Sequence, residues 1–258
     1  MSRNFELMQN LGREREMFET AETHTTVEEP VPLKVLPAPV EVLPLQLKME
    51  DALRDELFKL VQRVFMMPGP AKSRMVVVSA MESGNGCSWI CARMAEILAT
   101  QISGSVCVVD ANLRAPGLHR EFGVSNHYGL SDALQGSDPI RRFVTSLSRS
   151  NLWLLSSGAE VEGMQTMLGS DRMRALLPEL QREFDYVLID APPIESGDGS
   201  LVLGRSADGI VLVLKAHASR RERARKAVRD LEGASVRVLG AVLNRRTFPV
   251  PESIYRKL

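Results

Sequence analysis

Cysteine is scarce in this chain. Its 258 residues hold three, Cys87, Cys91 and Cys107, too few and too clustered for a disulfide framework, so they read as thiols of a reducing compartment. Net charge is absent as well: Lys plus Arg and Asp plus Glu each number 32. That balance gives no support to nucleic-acid binding or to a general membrane-surface role, and no nucleic acid is expected as a partner. No apolar run approaches the roughly 18 residues that a membrane helix needs. The opening Met-Ser-Arg-Asn-Phe-Glu-Leu lacks the apolar core of a signal peptide, so a cytoplasmic location is expected. The four histidines have no metal-ligand spacing with a cysteine, and no Gly-x-Ser-x-Gly elbow occurs. Zinc and elbow-type hydrolase chemistry are therefore unsupported.

What is present suits one soluble α/β domain with a tail: 44% hydrophobic and 25% charged residues over this length. Residues 1–48 stand apart. From Thr20 to Pro44, Thr, Glu, Val and Pro alternate, with prolines at 30, 32, 37, 39 and 44, and proline removes backbone donors and fixes φ. This stretch reads as a flexible arm, and residues 49–258 as the folded domain. Leu53, Leu57, Leu60, Val61 and Val64 recur at helical spacing and predict a helix over 49–65, stopped by Pro68-Gly69-Pro70. Beyond Arg74, short apolar runs alternate with helical patterns. The runs are 75–80, 105–110, 152–155, 186–190, 209–214 and 236–243; the helical patterns lie around 88–101, 131–147, 171–183, 196–205 and 219–232. The expected fold is a doubly wound, mainly parallel sheet with helices on both faces, whose ligands sit at the carboxyl ends of the strands.

The first strand runs into Glu82-Ser83-Gly84-Asn85-Gly86-Cys87-Ser88-Trp89 and then a helix. A glycine-rich turn in that setting lets backbone N–H groups and the helix N-terminus cradle phosphates. Ser88 stands where a P-loop hydroxyl holds Mg²⁺, but the lysine expected after Gly86 is Cys87. A thiol supplies no cation to a β- or γ-phosphate. Alone, the motif equally describes a glycine turn joining strand to helix. Two more signals accompany it: Val108-Val109-Asp110-Ala111-Asn112-Leu113-Arg114-Ala115-Pro116, and Tyr186-Val187-Leu188-Ile189-Asp190-Ala191-Pro192-Pro193. Each puts a carboxylate just past an apolar strand, and with Ser88 the two make an oxygen set suited to Mg²⁺.

Together with Gly129-Leu130-Ser131-Asp132-Ala133-Leu134 and the ending Leu239-Gly240-Ala241-Val242-Leu243-Asn244, these segments resemble the bacterial tyrosine kinases of capsule and exopolysaccharide export. Those kinases are relatives of the septum-site and partition ATPases. The resemblance covers about residues 50–247 and implies a P-loop NTPase-like fold that binds ATP or ADP with Mg²⁺. It implies that Gly84, Asn85, Gly86, Cys87, Ser88 and Trp89 line the nucleotide and that Asn244 lies against its base. By the same resemblance Ser88, Asp110 and Asp190 hold the metal, Asp110 and Asp190 serve catalysis, and Arg114 belongs with them. The departures from the pattern are equally specific. Cys87 replaces lysine, Asn112 replaces a second aspartate that would accept a proton, and Trp89 replaces a small hydroxyl residue. Only Tyr255 follows Asn244, where relatives carry a tyrosine cluster. The oligomerisation motif of the first helix survives as Glu56, with Lys59 and Gln62 in place of arginines that would make bidentate contacts. A homo-oligomer through the Glu56/Lys59 helix and a solvated helix face are both compatible with it.

Two functions of different class follow from the resemblance, and the sequence leaves both open. One is a degenerate kinase-like regulator that docks on a membrane polysaccharide co-polymerase (the chain-length regulator) and is recruited by it to the inner face of the membrane. The other is a weakly active ATP-dependent tyrosine kinase or ATPase whose missing cation comes from Lys72 or a neighbouring subunit. A partition-type ATPase is a remoter third. Cys87, at a helix N-terminus in an anion-binding loop, stands where thiol pKa values fall, which would suit an oxidant sensor; the plainer reading is a small residue in a lost lysine's place. Arg220, Arg221, Arg223, Arg225, Lys226 and Arg229 form the basic side of an amphipathic surface helix, with acidic lipid or polymer as a minor alternative ligand.

Overall fold

A computed structural model describes residues 51–66, 73–147, 151–160 and 163–245; the proposed arm, the Pro68-Gly69-Pro70 turn, Lys72 and Tyr255 lie outside them. The apolar stripe of the first helix folds as α1 (Asp51–Val61), which buries Leu57 and Val61. It continues into a π-turn (Gln62–Met66) that turns Val64 and Phe65 inward, with the Phe65 ring edge-on to Tyr186 at 5.9 Å. The chain then enters β1 (Met75–Ala80), every residue of which is buried, as expected of a strand covered on both faces. There follow α2 (Cys87–Gln101), β2 (Val106–Asp110), a one-turn α3 (Leu118–Glu121) and α4 (Leu130–Gln135). Next come β3 (Thr145–Ser146), β4 (Leu152–Leu155), α5 (Met164–Met167), α6 (Asp171–Glu183) and β5 (Tyr186–Asp190). The last elements are α7 (Gly199–Ser206), β6 (Gly209–Lys215), α8 (Arg221–Gly233) and β7 (Val238–Asn244).

The strands form one sheet in the order β3-β4-β2-β5-β1-β6-β7, parallel throughout except for β3 against β4. Alternate residues of each strand point to opposite faces, which divides the interior in two. Met75, Val77, Cys107, Val109, Val187 and Ile189 pack beneath α4, α6, α7 and α8. Val76, Val78, Val106, Val108 and Leu188 pack beneath α1 and α2. β5 lies between β1 and β2, with Val78 opposite Asp190 and Asp110 opposite Asp190. The loop leaving β1 and the carboxylates ending β2 and β5 therefore emerge side by side.

One expected helix is different in the structure. The pattern over 131–147 is helical only to Gln135; Gly136 is extended, and Pro139, which has no N–H to donate, opens a 3-10 turn over Ile140–Arg142. The Ile140 N–H donates instead to Glu179 on α6 (2.8 Å), and the chain passes into β3. Ile140 and Phe143 are buried all the same, so the apolar spacing that suggested a longer helix reflects burial in a loop.

Candidate functional site

The turn after β1 is a tight loop because two glycines take left-handed backbone angles, Gly84 at φ +76° and Gly86 at φ +83°. Gly86 is also close-packed: a Cβ there would lie 2.5 Å from the Asn244 Nδ2. That amide, at the end of β7, donates a 2.8 Å hydrogen bond to the Asn85 carbonyl. The loop is thus held from across the sheet by Asn244, while the buried Asn85 amide Nδ2 has no partner. Ile90 N–H donates to the Gly86 carbonyl and α2 begins at Cys87, so the first free N–H groups of the helix face the loop.

Asp110 and Asp190 are both fully buried. Asp110 Oδ2 accepts 2.9 Å hydrogen bonds from the N–H groups of Gly117 and Leu118, which ties the loop after β2 to the start of α3. Gly117 has no side chain because Ser88 occupies the space: a Cβ there would lie 2.5 Å from Ser88 Oγ. Ser88 and the Asp110 loop are therefore neighbours. Asp110 Oδ1 and both oxygens of Asp190 are buried without a hydrogen-bond partner. The Ser88 hydroxyl and Cys87 thiol approach Asp190 and favour its ionised form, yet neither makes an aligned hydrogen bond.

Burial dominates the electrostatics here. It pushes Asp190 up to about 7, helped by the charge of Asp110. It pushes Asp110 up to about 6 against the opposing pull of its backbone donors. The thiol of Cys87 goes well up, not down, because its sulfur is desolvated, though the residue as a whole is half-buried, and because it faces Asp190 and Cys91. The expected depressed thiol is thus corrected: negative charge and lost solvent outweigh the helix N-terminus, so a thiolate sensor at Cys87 is unsupported.

Partnerless buried carboxylate oxygens beside a hydroxyl fit a hard divalent cation and its water. Among the described residues no group of three or more His, Cys, Asp and Glu makes a metal cage. A Mg²⁺ here would therefore draw its remaining ligands from phosphate and water, the usual habit of that ion. The loop's N–H groups fit a phosphate; the side chain at position 87 brings no cation to it.

Arg114 is exposed and lines a cleft of about 290 Å³ with Leu113, Leu168, Pro192, Asp198 and Val202. Trp89 is half-buried, its ring 6.0 Å from the Arg93 guanidinium. Glu56 and Lys59 form an exposed 2.8 Å ion pair on α1, of the kind that contributes little to stability. Arg93 was not anticipated. Although buried, it pairs with Glu96 at 2.9 Å and donates to the Glu121 carbonyl, bracing α2 against α3. Its three-residue spacing from Glu96 on a largely apolar helix is only a faint local trace of it in the sequence.

A ParA family model, described as NUBPL iron-transfer P-loop NTPase, matches residues 71–256. Tyrosine-protein kinase YwqD of Bacillus subtilis (strain 168) is 31% identical over 171 residues, 66% of this chain and 72% of that one. Tyrosine-protein kinase etk of Escherichia coli (strain K12) is 27% identical over 67% of this chain, which spans only 24% of that relative. Among solved structures, the chimerical protein CapA2B2 superposes with a TM-score of 0.72 at 22% identity, over 81% of this chain and 90% of that one. The septum-site-determining protein MinD complexed with Mg-ADP from Pyrococcus horikoshii OT3 gives 0.57 at 20% identity, over 71% and 76%.

Proposed function

Because the chain belongs to the bacterial tyrosine kinases, within the ParA-like P-loop NTPases, we propose that it is a nucleotide-binding regulator of capsule or exopolysaccharide export whose phosphotransfer is disabled at the P-loop. The observation that carries this reading is the pairing of an intact oxygen site with a missing cation. Ser88, Asp110 Oδ1 and Asp190 converge beneath a left-handed glycine loop, and Cys87 stands where the lysine belongs. In this reading Ser88, Asp110 and Asp190 hold Mg²⁺, and the N–H groups from Gly84 to Ser88 hold the phosphates of ATP or ADP. Asn244 keeps the loop in shape at the edge where the base would lie. The bound Mg²⁺ would neutralise phosphate charge and orient the terminal phosphoryl group. What this chain lacks is the second cation, and losing electrostatic stabilisation of that kind costs about 10²-fold or more in rate. Asn112 removes the nearby proton acceptor as well.

The partner in this proposal is the cytoplasmic part of a membrane polysaccharide co-polymerase, which would bring the domain to the inner face of the membrane. No described helix is long and apolar enough to cross a membrane. A second reading, a weak kinase or ATPase, is favoured by one observation: the metal-binding oxygens are all retained, which an abandoned site would not require.

Phosphotyrosine mapping separates the two. Purified chain incubated with MgATP should carry no phosphate on its three tyrosines, Tyr128, Tyr186 and Tyr255. Phosphotyrosine that appears in the wild type and vanishes in Asp190→Asn would overturn the regulatory reading in favour of the enzyme.

A further inference from the structure

The basic helix α8 borders a groove over the sheet. Ala227 and Leu231 are buried and anchor it, while Arg221, Arg225 and Arg229 are exposed beside the gap it leaves against β6 and β7. The gap is an open groove of about 520 Å³. Leu212, Leu214 and Ala241 form its floor, and Arg221, Arg225 and Arg229 its helical wall. Leu212 lies opposite Ala241 and Leu214 opposite Leu243, so Leu243 continues the same apolar face. At 53% exposure Leu243 is one of two large apolar side chains left exposed among the described residues.

The wall is unusual in what it leaves unpaired. Arg223, on another side of α8, reaches Glu82 at 3.5 Å and Glu195 at 3.7 Å, and Lys226 reaches Asp230 at 3.5 Å. Arg221, Arg225 and Arg229 have no carboxylate partner among the described residues. They are spaced by four, hence about 6 Å apart along the helix. Alternate side chains of an extended peptide repeat every 6.6–6.8 Å or so, a near match. Such a segment with acidic residues at every second position would set its carboxylates along the arginines. Its intervening apolar side chains would then turn down onto Leu214, Ala241 and Leu243.

We propose that this groove docks an extended acidic segment of a partner protein, carrying apolar residues between its carboxylates. The inference deepens the partner-binding part of the proposed function, and the nucleotide site plays no role in its recognition chemistry. A concave apolar floor argues for a peptide over a lipid headgroup surface, which would meet the arginines without filling the floor.

Fluorescence anisotropy on the full chain tests it with the labelled peptide Gly-Glu-Leu-Glu-Leu-Glu-Gly. The wild type should bind this peptide better than an all-glutamate peptide of equal charge. The combined variant Arg221→Glu/Arg225→Glu/Arg229→Glu should bind it at least about tenfold more weakly, the size expected when three exposed pairs turn repulsive. Leu243→Asp should weaken it too. All four positions are exposed, so the variants should fold, and unchanged MgADP titration of each would show that any loss belongs to the groove. Equal affinity for the all-glutamate peptide, or no effect of the arginine reversals, would overturn the proposal. So would binding to phosphatidylglycerol vesicles in place of the peptide, or self-association that the reversals abolish.

Discussion

Asp190 is buried beside a second carboxyl group with both of its oxygens unpaired, and the fold therefore holds its proton up to about pH 7. The sign of the resulting stability follows by linkage. A carboxyl raised from its ordinary value of 3.8 contributes stability below that value and loses it as pH rises through the folded pKa. Asp110 does the same through about 6. Asp190→Asn removes the larger of these penalties, so the ligand-free variant should melt above the wild type at about pH 8, and the gap should narrow by about pH 5. Scanning calorimetry at the two pH values measures it; a gap that does not change with pH would mean that Asp190 is ionised freely or paired in solution. The same residue shows what sequence can reveal. An acidic side chain that ends an apolar run has one place to go in a parallel sheet, the carboxyl edge, so Asp110 and Asp190 were legible. Arg93 was not, because burial of a guanidinium depends on Glu96, Trp89 and the Glu121 carbonyl arriving around it.

At the scale of elements, the loop between β1 and α2 is shaped by two different constraints. Gly84 and Gly86 share a left-handed backbone, but only Gly86 is crowded; nothing lies within 4 Å of a Cβ at Gly84. Both alanine substitutions should cost on the order of 1–2 kcal/mol for the backbone. Gly86→Ala should cost about 1 kcal/mol more, for the displaced Asn244 hydrogen bond. Urea unfolding compares them, and equal losses would contradict the role given to Asn244 as the brace of this loop. That brace joins residues 159 positions apart, through a register that places β7 beside β6 and β6 beside β1, and no local pattern announces it. Local pattern also misled over 131–147. Ile140 keeps a two-turn helical spacing from Ala133, and Phe143 follows Ile140 by three, but Gly136 and Pro139 interrupt the ladder, and Glu179 takes over the freed Ile140 N–H. Turn chemistry outweighed periodicity there.

Across the whole molecule, the parallel sheet sets the division of labour. Its carboxyl edge gathers the glycine loop, Ser88 and the two aspartates, while its β6–β7 flank carries the arginine-lined groove. The strand and helix order was readable because continuous apolar runs alternated with amphipathic stretches. The absence of a cation at position 87 was readable directly, yet the state of the thiol was not: the helix N-terminus alone suggests a lowered pKa, and desolvation of the thiol, with the charge of Asp190, reverses it. On the proposed reading, Cys87 weakens phosphate binding while Ser88, Asp110 and Asp190 remain able to hold Mg²⁺. Calorimetric titration with MgADP and MgATP, run on the wild type and on Cys87→Lys, tests it most directly. A restored charge-assisted hydrogen bond contributes about 1.5–3 kcal/mol, so the lysine variant should bind about ten- to hundredfold more tightly than a weakly binding wild type. Micromolar binding of MgATP by the wild type, left unchanged by the lysine, would contradict the account and point to a cation supplied from elsewhere.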